Sequence, residues 1–92
     1  MGSAEGAQII DLITHRRATH GDYGVQSIMA QKIKGIFQDA PNWDNLSPVQ
    51  KESLHMIAAK ISRILCGNPR CADHWNDIAG YATLAAGGLE RG

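Results

Sequence analysis

Apolar residues recur three and four positions apart through most of this chain, and no stretch alternates long enough to read as a strand. That period commits the backbone to amphipathic helices whose stripes must be covered by one another. Glycine, proline and turn-forming residues cut the pattern into four segments.

The first segment runs from about Ala4 to Thr19, with Ile9, Ile10, Leu12 and Ile13 on its apolar side. Arg16 and Arg17 fall in its last turns, where cations suit the negative end of the helix dipole. His20-Gly21 ends it, with Gly21 expected in a left-handed cap. The second segment runs from Asp22, a cap residue, to Gln38. Val25, Ile28, Met29, Ile33, Ile36 and Phe37 form its stripe, and Lys32 stands where a further apolar residue would extend it. The loop from Asp39 to Leu46 is rich in turn formers, and Trp43 and Leu46 are expected to fold it onto the core.

The third segment has the strongest start signal: Ser47 as cap, Pro48 at the first helical position and Gln50 to complete a capping box. Leu54, Ile57, Ala58, Ile61, Ile64 and Leu65 make its expected buried stripe; Gly67 ends it and Pro69 prevents its return. The fourth begins near Asp73 and stops at Gly87-Gly88, with Trp75 as the large anchor of a stripe continued by Ile78, Ala79, Ala82, Ala85 and Ala86. The expected fold is all-α, a compact bundle of four short helices in a single domain over residues 1–92.

A chain of 92 residues buries a modest share of its surface, so partner subunits are expected to supply the rest. Trp43, Trp75 and the alanine-rich fourth segment offer more apolar surface than four short helices cover, and a homo-oligomer with twofold symmetry is the expectation. Nine lysines and arginines balance nine acids, which argues against duplex nucleic acid as a partner while leaving room for a small anionic ligand held by local cations. No run of eighteen apolar residues is present to span a membrane, and no signal peptide is visible behind the polar lead Met1-Gly2-Ser3. A cytoplasmic setting is therefore expected. Cys66 and Cys71, four residues apart, lack the further ligands of a zinc site and are expected as free buried thiols.

Three clusters carry chemistry. His20-Gly21-Asp22-Tyr23-Gly24 makes a tight corner that could present backbone N–H groups to an anion at the next helix start, or serve only as a capped turn. His74, Asp77 and Tyr81 share one flank of the fourth segment beside its apolar stripe, where half-buried polar groups acquire directed hydrogen bonds. Lys60 lies at the edge of the third segment's stripe, with Arg63 nearer solvent. Lys60 either snorkels to solvent or binds something acidic, which would be Asp77, if the two helices pack antiparallel, or an anionic ligand. No catalytic residue is assigned: no histidine adjoins a cysteine, no glycine-rich phosphate loop is present, and no carboxylates are paired.

Three stretches carry a resemblance: Thr19 to Tyr23 (THGDY), Ala40 to Leu65 (APNWDNLSPVQKESLHMIAAKISRIL) and Asp73 to Ala85 (DHWNDIAGYATLA). They resemble a family of small phage and prophage proteins of unassigned function, and from His15 onward they span nearly the whole chain. The resemblance implies the cytoplasm of an infected or lysogenic bacterium as the setting. A remoter similarity is to the MazG-like all-α nucleotide pyrophosphohydrolases, through Asp77-Ile-Ala-Gly-Tyr81. That similarity places the enzymes' acidic E-x-x-D pair on His74 and Asp77, and their E-x-x-E pair on Lys60 and Arg63. Only Asp77 keeps its acid. Clustered carboxylates hold magnesium in such enzymes, and two cations in their place would repel the metal and touch phosphate directly. The resemblance thus implies a relative that binds a phosphate-bearing nucleotide without hydrolysis and without a cofactor, sequestering a nucleotide signal of host defence. The alternatives are a magnesium-dependent pyrophosphohydrolase and a protein–protein adaptor or inhibitor of a host factor.

Overall fold

The computed structural model describes residues 3–90, with side chains from Gln8 onward. Four α-helices follow one another: α1 Ser3–His20, α2 Tyr23–Gln38, α3 Pro48–Cys66 and α4 Ala72–Glu90, with a 3₁₀ turn at Trp43–Asn45 before α3. The described residues hold no strand. The polar lead falls on Met1 and Gly2, outside the described residues, and on Ser3, which opens α1.

The expected caps form. The Asp22 carboxylate accepts from the Val25 N–H at 3.1 Å, and Gly21 takes a left-handed φ of 80°. At α3, Ser47 Oγ accepts from the Gln50 N–H (3.2 Å) while Gln50 Oε1 accepts from the Ser47 N–H (2.8 Å). Two donors that a helix start leaves unpaired are thereby satisfied. The Trp43 ring stacks on Phe37 and tilts against His55, tying the loop to the α2–α3 seam.

α3 is the central helix. α4 packs antiparallel along it, as the Lys60–Asp77 pair and the cleft shared by Leu54, Ile57, Ala82 and Ala85 show. α2 packs along α3 in the same antiparallel sense, from Gln26 beside Ser62 to Phe37 beside His55. Helix α4 runs through Gly87 and Gly88 to Glu90, past its expected stop. Gly88 and Leu89 border a cleft with Ser47, Val49 and Gln50, and the helix continues despite the roughly 1 kcal/mol that a glycine costs a helix interior.

The expected compactness does not hold. The radius of gyration is 16.2 Å and the long axis 54 Å, against about 12 Å for a compact domain of this length. The cause is α1. Every described side chain from Gln8 to Ala18 is exposed, and of the described α1 side chains only Thr19 and His20 are half-buried. Eighteen residues at about 1.5 Å rise make an arm roughly half the long axis.

The expected stripes hold in part: Met29, Ile33 and Phe37 of α2, Leu54, Ile57, Ile61 and Ile64 of α3 and Ile78 of α4 are half-buried and Ala58 is buried, while other positions depart. In α2 the buried residues are Gln26 and Ala30, while Val25, Ile28 and Ile36 are exposed. In α3 they are Ser53, Ala58, Lys60 and Ser62, and Leu65 is exposed. In α4 His74 is buried and the expected anchor Trp75 is exposed, its indole N–H donating to the Pro69 carbonyl at 2.8 Å. Cys66 and Cys71 are free and half-buried, less enclosed than expected.

Candidate functional site

The corner between α1 and α2 meets the corner between α3 and α4. Asn68 N–H (3.0 Å) and His74 Nε2–H (2.8 Å) both donate to the Thr19 carbonyl, one of the oxygens that a helix end leaves free. This fixes the tautomer of His74 and holds its ring edge-on to His20, with centroids 4.8 Å apart. His20 Nδ1 also lies against the Thr19 hydroxyl.

Lys60 and Asp77 form an ion pair at 2.9 Å, the lysine nearly enclosed and the acid exposed. A hydrogen bond from Lys60 holds the Asp77 carboxyl below its usual range. The lysine is therefore committed to a protein partner, one of the two roles expected for it. Arg63 is half-buried, and its Nε is enclosed with no hydrogen-bond partner among the described residues. Burial pushes the guanidinium below its ordinary pKa; Arg16 pushes the same way, while Asp77, Tyr81 and Tyr23 oppose. Asp22 is exposed and pairs with Arg17 at 3.2 Å.

His20 registers the resulting field. Burial, then the charges of Arg63, His74, Arg16 and Lys60, lower its pKa from 6.5 to about 4. At neutral pH it is an uncharged ring in a positive environment. A cavity of about 240 Å³ opens beside it, lined by Ile13, Arg16, Arg17, His20, Gly21, Tyr23 and Gln26.

The structure thus gathers His20, Tyr23, Lys60, Arg63, His74, Asp77 and Tyr81 around one junction. Asp22 stays at the rim on its arginine. Sequence reasoning assigned Arg16 to the helix dipole and missed it here, although its position four residues before His20 places both on one face of α1. Gln26, read as neither core nor site, lines the cavity and donates to Ser62 Oγ at 3.2 Å.

Magnesium, which the hydrolase alternative would require, does not fit these residues. Asp77 is held by Lys60. Among the described residues no three histidine, cysteine, aspartate or glutamate side chains gather as metal ligands.

A family model for a domain of unknown function, DUF6378, matches residues 7–88. The chain belongs to the DUF6378 family. The match covers the α1–α2 corner with its cavity, and the α3–α4 corner. No curated protein and no solved structure matches the chain. Membership of DUF6378 agrees with the resemblance to a family without assigned function. No helix among the described residues is long and apolar enough to cross a membrane.

Proposed function

We propose that this DUF6378 domain binds the phosphate of a nucleotide at the α1–α2 corner and does not hydrolyse it. The observation that carries this reading is a surplus of local positive charge. Lys60 is balanced by Asp77 and Arg17 by Asp22, but Arg16 and Arg63 have no ion-pair partner among the described residues. Arg63 is the strained member: it is half-buried, Arg16 lowers its pKa further, and its enclosed Nε has no hydrogen-bond partner among the described residues, so an anion would relieve it.

A guanidinium suits a phosphoryl group because its fork of donors matches two oxygens. The cavity is below the roughly 300 Å³ of the smallest typical ligand pockets, so it takes the phosphate and leaves the nucleoside outside. Tyr23, highly exposed at the rim, offers a ring on which a base can stack. His20, neutral when the cavity is empty, gains a proton more readily once an anion offsets the surrounding charges. Sequestration of a nucleotide signal in a phage-infected cell is the biological setting we propose, on the resemblance alone, with a homo-oligomer as the working form.

Titration calorimetry with nucleoside mono-, di- and triphosphates and cyclic nucleotides tests the reading. Heat from one class, lost in Arg63→Met, is the expected result. Absence of heat from every class, or binding indifferent to Arg63, overturns it. A protein–protein adaptor is the second reading, favoured by the exposed isoleucines and leucine of α1.

A further inference from the structure

We infer that the outer face of α1 and α2 is covered by a second copy of this chain, and that this twofold interface borders the anion cavity. The starting observation is how little apolar surface one copy buries. Among the described residues the buried apolar side chains are Ala30 and Ala58, the larger ones being at most half-buried. Ile9, Ile10, Leu12 and Ile13 on α1, and Tyr23, Val25, Ile28 and Ile36 on α2, are all more than half exposed. Most of the exposed large apolar residues among those described thus lie on these two helices.

The area agrees. The accessible surface is 6579 Å², whereas a compact monomer of 9.9 kDa exposes about 5,200 Å². The excess, on the order of 1,400 Å² per copy, exceeds the roughly 800 Å² that each partner contributes to a standard stable interface. Helix α1 makes the same case locally. An isolated helix of this length is marginal in water, and α1 meets the rest of its own chain through its C-terminal part, from Ile13 to His20. A second copy is the occupant that fits. Equal numbers of acidic and basic residues leave no net repulsion between copies, and a self-complementary face closes under twofold symmetry without open-ended growth.

The face is continuous with the cavity. Ile9, Ile13, Arg16 and His20 recur at helical spacing, so one stripe of α1 begins apolar and ends cationic. Ile13 and Tyr23 belong both to the exposed apolar surface and to the cavity lining. A partner seated there walls the open side of the cavity and lowers the local dielectric around Arg16, which strengthens its hold on an anion. This last link rests on the phosphate reading above; the pairing does not.

Sedimentation of the full chain without added ligand tests the pairing separately from the ligand. The expected mass at micromolar concentration is twice 9.9 kDa. Ile10→Asp and Leu12→Asp, neither of which lines the cavity, are expected to return the single-chain mass while circular dichroism retains the helicity of α2 to α4. As a measurement on the unaltered protein, hydrogen exchange of the α1 amides is expected to slow as concentration rises. A monomer at micromolar concentration, a dimer that survives both substitutions together, or α1 exchange indifferent to concentration overturns the inference.

Discussion

The backbones of Gly21 and Gly67 cross so closely that neither position accepts a side chain. A Cβ on Gly21 would lie 2.6 Å from the Cys66 carbonyl carbon and 3.1 Å from the Gly67 nitrogen. A Cβ on Gly67 would lie 2.6 Å from the Gly21 nitrogen. This crossing brings the Thr19 carbonyl to Asn68 and His74, and so sets His20 against His74 at the cavity wall.

Alanine at either glycine is expected to destabilise the fold, and Gly21→Ala more than Gly67→Ala. Only Gly21 has a positive φ, at 80°. A left-handed conformation costs other residues about 1–2 kcal/mol before any clash is counted. With backbone atoms as the obstacle, Gly21→Ala should lose at least ~2 kcal/mol. Urea unfolding of both variants checks the order.

Stability should depend on pH through His20. Its folded pKa of about 4 lies below the ordinary 6.5. The unfolded chain therefore takes up a proton first as pH falls, so stability is fully present above 6.5 and is lost as pH drops toward 4. His20→Gln should flatten this slope in denaturant midpoints measured across that window. An unchanged slope would place the proton uptake on other groups.

Arg63→Met should raise the pKa of His20 toward 6.5, because Arg63 is the largest of the charges that depress it. The same substitution should weaken phosphate or nucleotide binding at least ~10-fold, in line with loss of a charged hydrogen-bond donor. Proton resonances of the His20 ring, followed through a pH titration with and without inorganic phosphate, read both effects. Phosphate should move the unaltered protein's His20 in the same upward direction.

Ser62→Ala should cost about 1–3 kcal/mol. The Ser62 hydroxyl is fully enclosed, donates to the Ala59 carbonyl at 2.6 Å and accepts from Gln26 Nε2. Its removal strands a buried amide on α2. Gln26→Leu with Ser62→Ala should recover part of the loss, because both polar partners are then gone. Thermal unfolding of the three variants compares them.

Capping chemistry is local, and for that reason the helix starts were legible. Ser47, Pro48 and Gln50 satisfy backbone donors within one turn, whatever packs nearby. The inward faces were less legible. Periodicity in α4 favoured Trp75 with Ile78, Ala79 and Ala82, yet His74 turns inward. A histidine is affordable there only because Thr19, far away in sequence, supplies an acceptor. Of the candidate site, spacing named the α3 and α4 residues and the His20 corner, while it did not name Arg16, whose influence on Arg63 depends on where α1 ends in the fold.

What the sequence determined alone is the all-helical course of the chain: where each helix begins, where glycine lets it turn, and which ionisable groups share a helix face. These depend on backbone geometry and neighbours within a turn or two. The tertiary structure decided which face turns inward, that Lys60 is spent on Asp77 while Arg16 and Arg63 are left without an acid, and that α1 projects from the body. Those outcomes depend on contacts between residues distant in the chain, and on the Gly21–Gly67 crossing that sets the angle at which the two corners meet.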